Sequence, residues 1–333
     1  MNATIDAVPS RRVIAIVLSL ATVVSASCGG STPTDEGDAK LPARIDGGDD
    51  GPIEAAADGM ALLDAQPPTD ASVPPCDLTK PFDAPVAVTE LNTVDEDILS
   101  DVSRDGLTVY LASNHGVTGV HLFFASRAST TAPFGARQLL FPNGSFDDWG
   151  VSITPDGLTA IVSSDRNGMN SDLYVASRPT TLAAFGALAL VAGTNSTGNE
   201  EGPRWAVDSK TLYFDSTRSG NRDIYRAPVV GATFGAPTAV TELNSPALDA
   251  VPVVSADELT IYFLSTRAPS TDGDIFVATR ATTAAPFANI QKLANVNSAA
   301  LDAPGGISAD GCTLYMSSSR AGKSDLYIAQ RPK

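Results

Sequence analysis

The sequence predicts an all-β chain: a five-bladed β-propeller of four-stranded antiparallel blades, closed by an N-terminal strand that completes the last blade. Three observations predict it. A unit recurs five times around the acids Asp105, Asp156, Asp208, Asp257 and Asp310, at intervals of 51, 52, 49 and 53 residues. The fifth copy stops at Lys333, directly after its third strand-like run. The run it lacks stands ahead of the first full copy, at residues 81–92. A repeat that wraps its missing piece from one end of the chain to the other reads as a closed ring with no open sheet edge.

Each element follows from local chemistry. The anchor acids sit in tight turns, Ser103-Arg-Asp-Gly106 and Thr154-Pro-Asp-Gly157 among them, because Gly accepts positive φ without steric cost. An apolar run follows every turn, with Tyr110, Ile161, Tyr213, Tyr262 or Tyr315 five residues after the anchor. These are strand formers, and the runs are apolar on successive residues, which predicts burial on both faces. Ser-x-Arg and a polar turn come next, ending in Arg166, Arg218, Arg267 and Arg320. The third strand opens on Asp172, Asp223, Asp274 or Asp325. An Arg–Asp pair across that hairpin is therefore expected. Blade one has His115 and His121 in the two places, which reads as a neutral His–His contact; two histidines without a third ligand make a poor metal site. The fourth strand is announced by Phe134-Gly, Phe185-Gly, Phe234-Gly and Phe287-Ala. The closing stretch, Pro81-Phe-Asp-Ala-Pro-Val-Ala-Val-Thr-Glu-Leu-Asn92, matches Thr233-Phe-Gly-Ala-Pro-Thr-Ala-Val-Thr-Glu-Leu-Asn244.

The units resemble the PD40, or TolB-like, propeller repeat, whose pattern runs through Asp-Gly, Leu-Tyr-Phe-Ser-Ser-x-Arg and Asp-Ile-Tyr. The resemblance covers residues 81–333. It implies the propeller fold and little about function. TolB proteins also carry a separate N-terminal α/β domain that this sequence does not show, so their envelope-assembly role is not carried over.

The expected organisation is a signal peptide at 1–27, an acidic tether rich in Gly, Pro and Ala at 28–79, and the propeller at 80–333. Arg11 and Arg12 precede an apolar stretch of 14 residues, 13–26. That is short for a membrane span and suits a secretory signal. Ser25-Ala-Ser-Cys28 resembles a bacterial lipobox, with Ser25 where Leu is usual, which implies lipidation at Cys28. The expected address is thus lipid-anchored on the outer membrane, after secretion across the inner one. Residues 29–75 hold ten acids against Lys40 and Arg44, half of the chain's net charge of −16. That balance disfavours nucleic acid and anionic membrane surfaces. Two further cysteines remain, Cys76 and Cys312. By topology they fall on the same side of the last blade, so the readings are a disulfide or two unpaired thiols.

Candidate chemistry comes from aligning the copies. Eight residues before each anchor stand Asp97, Asp148, Glu200, Asp249 and Asp302, a ring of acids at the start of each inner strand. One reading is a Ca²⁺ or polar ligand at the channel mouth. The other is that each acid accepts neighbouring hydrogen bonds and joins the blades. Identity across all copies favours architecture, since acid–base catalysis needs unlike environments. Function is therefore sought where copies differ. One position after the ring stand Ile98, Trp149, Glu201, Ala250 and Ala303; four before the anchor stand Asp101, Ser152, Arg204, Val253 and Gly306. Asp101, Trp149, Glu201 and Arg204 thus form the candidate ligand site, with Trp205 adjacent.

The chain has no Walker loop, dinucleotide fingerprint or Gly-x-Ser-x-Gly elbow, and only two histidines. The expected function is a non-enzymatic binding or scaffolding lipoprotein of the cell envelope, without cofactor and monomeric, recognising a protein or a polysaccharide. The alternative is a carbohydrate-active enzyme with Asp101 and Glu201 as acid and base and Trp149 as the sugar platform.

Overall fold

The computed structural model describes residues 76–141, 146–168, 170–270 and 272–333. The signal, most of the tether and Cys28 lie outside them. The described chain is all β, in five antiparallel sheets. Strand β1 (Val86–Ala87) comes first. Blade one follows as β2 (Asp97–Val102), β3 (Thr108–Ser113), β4 (His121–Ser126) and β5 (Gln138–Leu139). Blade two is β6 (Asp148–Ile153), β7 (Thr159–Ser164), β8 (Asp172–Ser177) and β9 (Ala189–Leu190). Blade three is β10 (Glu200–Trp205), β11 (Thr211–Ser216), β12 (Asp223–Val230), β13 (Thr233–Phe234) and β14 (Thr238–Ala239). Blade four is β15 (Asp249–Val254), β16 (Thr260–Ser265), β17 (Asp274–Thr279) and β18 (Ala288–Lys292). Blade five is β19 (Asp302–Ile307), β20 (Thr313–Ser318) and β21 (Asp325–Gln330), completed by β1.

The closure is in register: Val86 stands opposite Ile328 and Ala87 opposite Tyr327. Around it, Phe82 and Leu91 are buried. Asn92 clamps the second residue of the partner strand, accepting from Leu326 N–H at 2.8 Å and donating to Leu326 C=O at 3.1 Å. Cys76 and Cys312 form a disulfide, and Asp77 N–H donates to Pro332 C=O at 3.0 Å. The first and last described residues therefore join the ring on the side where inner strands finish and turn.

The first strand of each blade contacts the first strand of its neighbours, so these five line the axis. All five carry a bulge, which bends the strand and re-aims the residues beyond it. The second strands are buried on both faces after their first residue. Apolar clusters fill the seams between blades, for example Tyr315 and Leu326 of blade five with Leu99, Val109 and Leu111 of blade one.

Blade three departs from the expected four strands. Its third strand runs on into an extra hairpin, β12–β13, turning at Gly231 with φ of 61°. In that hairpin stands Val229, where other blades have an arginine. Those arginines are inter-blade staples. Arg127 donates to Gly106 C=O and to the Tyr315 hydroxyl at 2.8 Å while lying over Phe134. Arg331 does the same with Gly311 C=O, Tyr262 and Phe82. The seam between blades two and three has neither partner: Val229 replaces the arginine and Ile161 replaces the tyrosine. Ile161, Leu212, Val229 and Trp205, the last against Phe234 at 5.9 Å, pack that seam instead.

Candidate functional site

The ring acids lie at the start of the inner strands, and each is held by an arginine. Arg166 pairs with Asp148 at 2.8 Å, Arg267 with Asp249 at 2.6 Å, Arg320 with Asp302 at 2.7 Å and Arg218 with Glu200 at 3.2 Å. The hydroxyl two residues before the arginine joins the pair: Ser265 donates to Asp249 at 2.6 Å and accepts from Arg267 Nε at 2.9 Å. A further clasp comes from Thr93, Ser196, Ser245 and Ser298, which donate both N–H and hydroxyl to the acid four residues on. The carboxylates are thus engaged within the protein, and no cluster of three possible metal ligands occurs among the described residues.

The expected Arg–Asp pair across the second hairpin is corrected by this. The arginines reach inward to the ring acid, and the acid that opens the third strand takes other donors: Asn167 for Asp172, Ser219 for Asp223, Lys292 for Asp274 and Lys323 for Asp325. The His–His contact is corrected too. His115 Nδ1 meets Asp95 at 2.7 Å, and His121 Nε2 meets Thr118 C=O at 3.0 Å. Blade one replaces its lost arginine from the residue just before its fourth strand: Arg137 reaches Asp97 at 2.7 Å. The copies hold Leu188, Pro237, Ile290 and Pro85 in that place, so the compensation was legible in the aligned repeat.

The four candidate site residues separate into two groups. Residues one and four positions along a six-residue strand lie about 10 Å apart along its axis. Glu201 and Trp149 belong to the acid-ring end. Trp149 is half-buried against the cluster around Val151, Ala160 and Phe185. Glu201 accepts from Arg222 at 2.6 Å, and Arg222 also donates to the buried Asp215 at 3.0 Å. Asp215 in turn accepts from the N–H of Val251 in blade four at 3.0 Å. Val251 is β-branched and held at a φ of 51°, an unfavourable conformation that this bond fixes in place. Ser317 accepts from Leu99 N–H at 2.7 Å at the same place in the seam between blades five and one. In the seam between blades four and five the corresponding residues are Leu264 and Pro304, an apolar side chain facing a residue that has no N–H to offer.

Burial pushes the Asp215 carboxyl up to about 6, while Arg222 pulls the other way. The folded ring therefore holds this proton more tightly than the unfolded chain, whose value is about 3.9. Asp215 favours folding below about pH 4, and that contribution is lost as pH rises through about 6. The urea midpoint of the parent, minus that of Asp215→Asn, is expected to fall from pH 4 to pH 7. A flat difference would refute the assignment.

Asp101 and Arg204 belong to the opposite end. They form an ion pair across the axis, both nearly buried. Arg204 also donates to Ser100 C=O at 2.6 Å and Gly305 C=O at 2.7 Å, so one side chain from blade three joins blades one and five. Asp101 accepts from Ile153 N–H of blade two at 2.9 Å. Gly305 and Gly306 are required here: a Cβ on either would stand 2.5 Å from Leu99 or Val102 of blade one.

Above this pair opens a funnel of about 120 Å³. Its collar takes one residue from each blade: Val102, Ile153, Trp205, Val254 and Ile307. Its rim takes Arg104, Pro155, Val207, Ala256 and Ala309. Tyr110 also lines it; burial and the nearby Asp101 charge push its hydroxyl up to about 12, so it stays protonated. Arg204 Nε and Trp205 Nε1 are buried without a protein acceptor. Sequence alignment found Asp101, Arg204 and Trp205. It missed the collar, whose residues look like ordinary strand formers, and Arg104, which hides in a turn.

No family model matches the chain, and no curated protein matches it. Solved structures do. An endo-arabinase from Bacteroides thetaiotaomicron VPI-5482 is 15% identical, covers 75% of this chain and 96% of its own, with a TM-score of 0.50. TolB from Acinetobacter baumannii is 15% identical over 76% of this chain, with a TM-score of 0.45; the match spans only 56% of TolB's length. A chain of the nidogen/laminin complex is 14% identical over 69% of this chain and 74% of its own, with a TM-score of 0.42. At such identities the likeness is one of fold. The molecule is a five-bladed propeller, as the repeat resemblance implies, and TolB structures are among those it resembles.

Proposed function

We propose that this chain is a non-catalytic recognition or scaffolding module of the cell envelope. In this reading it is secreted, anchored through a lipid at Cys28 and carried on the acidic tether, and it presents its ring to an envelope protein or polysaccharide. It needs no cofactor.

The observation that carries the reading is the state of the two carboxylates an enzyme would use. Asp101 and Glu201 are each tied to an arginine, Arg204 and Arg222, and they stand at different ends of the inner strands. A glycoside hydrolase needs two carboxyl groups flanking one bond, with one of them free to carry a proton. Here the axis is crossed by an ion pair, and Trp149 is committed to packing between blades. The fold shared with an endo-arabinase does not supply the missing pair.

The test uses the full chain in three assays: a glycan array, a hydrolysis screen on the same glycans, and a pull-down from envelope extract. Retention of one glycan or one envelope protein without turnover is expected. Hydrolysis that Asp101→Asn abolishes would overturn the reading.

A further inference from the structure

The funnel carries a charge that the ring does not answer. Three charged side chains line it. Asp101 and Arg204 neutralise one another at its floor. Arg104 stands exposed at the rim, without an ion pair or hydrogen bond among the described residues.

We propose that the funnel binds a small organic carboxylate with a compact apolar tail, the tail seated in the collar and the carboxylate on Arg104. The walls choose the tail. Four of the five collar residues, Val102, Ile153, Val254 and Ile307, offer no hydrogen-bonding side-chain atom, and the fifth, Trp205, offers a single N–H. The hydroxyls of Ser103, Tyr110, Ser152 and Thr154 also line the funnel but are too few for a sugar, with a hydroxyl on nearly every carbon, to pair all of its polar groups. The volume sets its size. The space of about 120 Å³ is roughly four times the volume of a water in the liquid, which suits a branched chain of about five carbons or a phenyl ring. The charges set the orientation. A carboxylate at the floor would meet Asp101, whereas at the rim it meets a free guanidinium that can take it bidentately. An inorganic anion would use Arg104 alone and gain nothing from the collar. The proposal is independent of the scaffolding role, because a ligand this small fits the funnel whether or not a macromolecule docks elsewhere on the ring.

The experiment titrates 4-methylpentanoate and phenylacetate into the full chain by ligand-observed NMR, beside their primary amides and acetate. A dissociation constant of about 1 mM is expected for the two acids, in keeping with a ligand of about eight to ten heavy atoms. The amides should bind about fourfold more weakly, the range of an exposed charge pair, and acetate should not saturate. Arg104→Ala should bring the acids to the level of the amides, and Arg104→Lys should recover most of the difference. Ala256→Phe, which fills the rim, should weaken acid and amide alike by tenfold or more. Thermal melts confirm that each variant is folded, and the Arg104 pair decides alone if Ala256→Phe is not. Equal affinity for acid and amide, an acid affinity unchanged in Arg104→Ala, or no saturation by 20 mM would overturn the proposal.

Discussion

Deleting residues 81–92 is expected to abolish cooperative folding rather than to give a shorter, weaker ring. The segment inserts Phe82, Val88 and Leu91 into seams on either side of blade five, and all three are buried. Removing one such Phe or Leu costs about 2–5 kcal/mol. Losing all three rivals the whole stability of a typical domain, about 5–15 kcal/mol. The deletion also exposes the edge of β21 and strips Phe82 from beneath Arg331. Near-UV circular dichroism and urea melts are the measurements. A single sharp transition in the deleted chain would show that the ring closes by other means. Cys312→Ser is the informative companion. It leaves β1 in place and removes only a cross-link spanning 236 residues, so a folded ring weakened by about 2–5 kcal/mol is expected.

Arg204→Ala is expected to cost about 3–5 kcal/mol, the largest single-residue effect in the ring, because it leaves Asp101 as a buried charge without its partner. It also releases the carbonyls of Ser100 and Gly305, which are Arg204's hold on blades one and five. The double variant Asp101→Asn, Arg204→Met should regain most of that loss. The amide oxygen of Asn still accepts from Ile153 N–H, and Met fills the axis without charge. Chemical denaturation of the single and double variants tests the coupling. A loss below 1 kcal/mol in Arg204→Ala would mean that the ion pair is not what holds the axis.

The two predictions differ in how visible their residues were beforehand. Residues 81–92 announced themselves, because they repeat the wording of residues 233–244 and the last copy lacks that wording. The pairing of Arg166 was misread, because Asp172 is six residues away and Asp148 eighteen. The hairpin places the arginine beside its own inner strand, where Ser164 accepts from its Nε and Asp148 from its Nη2, while Asn167 takes up Asp172. The split of the candidate site was invisible for a similar reason. Asp101 and Glu201 both looked like mouth residues until the bulged inner strand put three residues of rise between their positions.

By itself, then, the sequence determined the number of blades, the order of strands within each and the piece that closes the ring. Turns, strand runs and the wrapped repeat are local signals, and each copy states them again. Only the tertiary structure decided which charges meet. Asp101 and Arg204 are 103 residues and two blades apart, and they touch because ring closure brings five inner strands around one axis. Contacts across that axis depend on strand tilt, bulges and the Gly305–Gly306 approach acting together, and no single copy of the repeat contains that information.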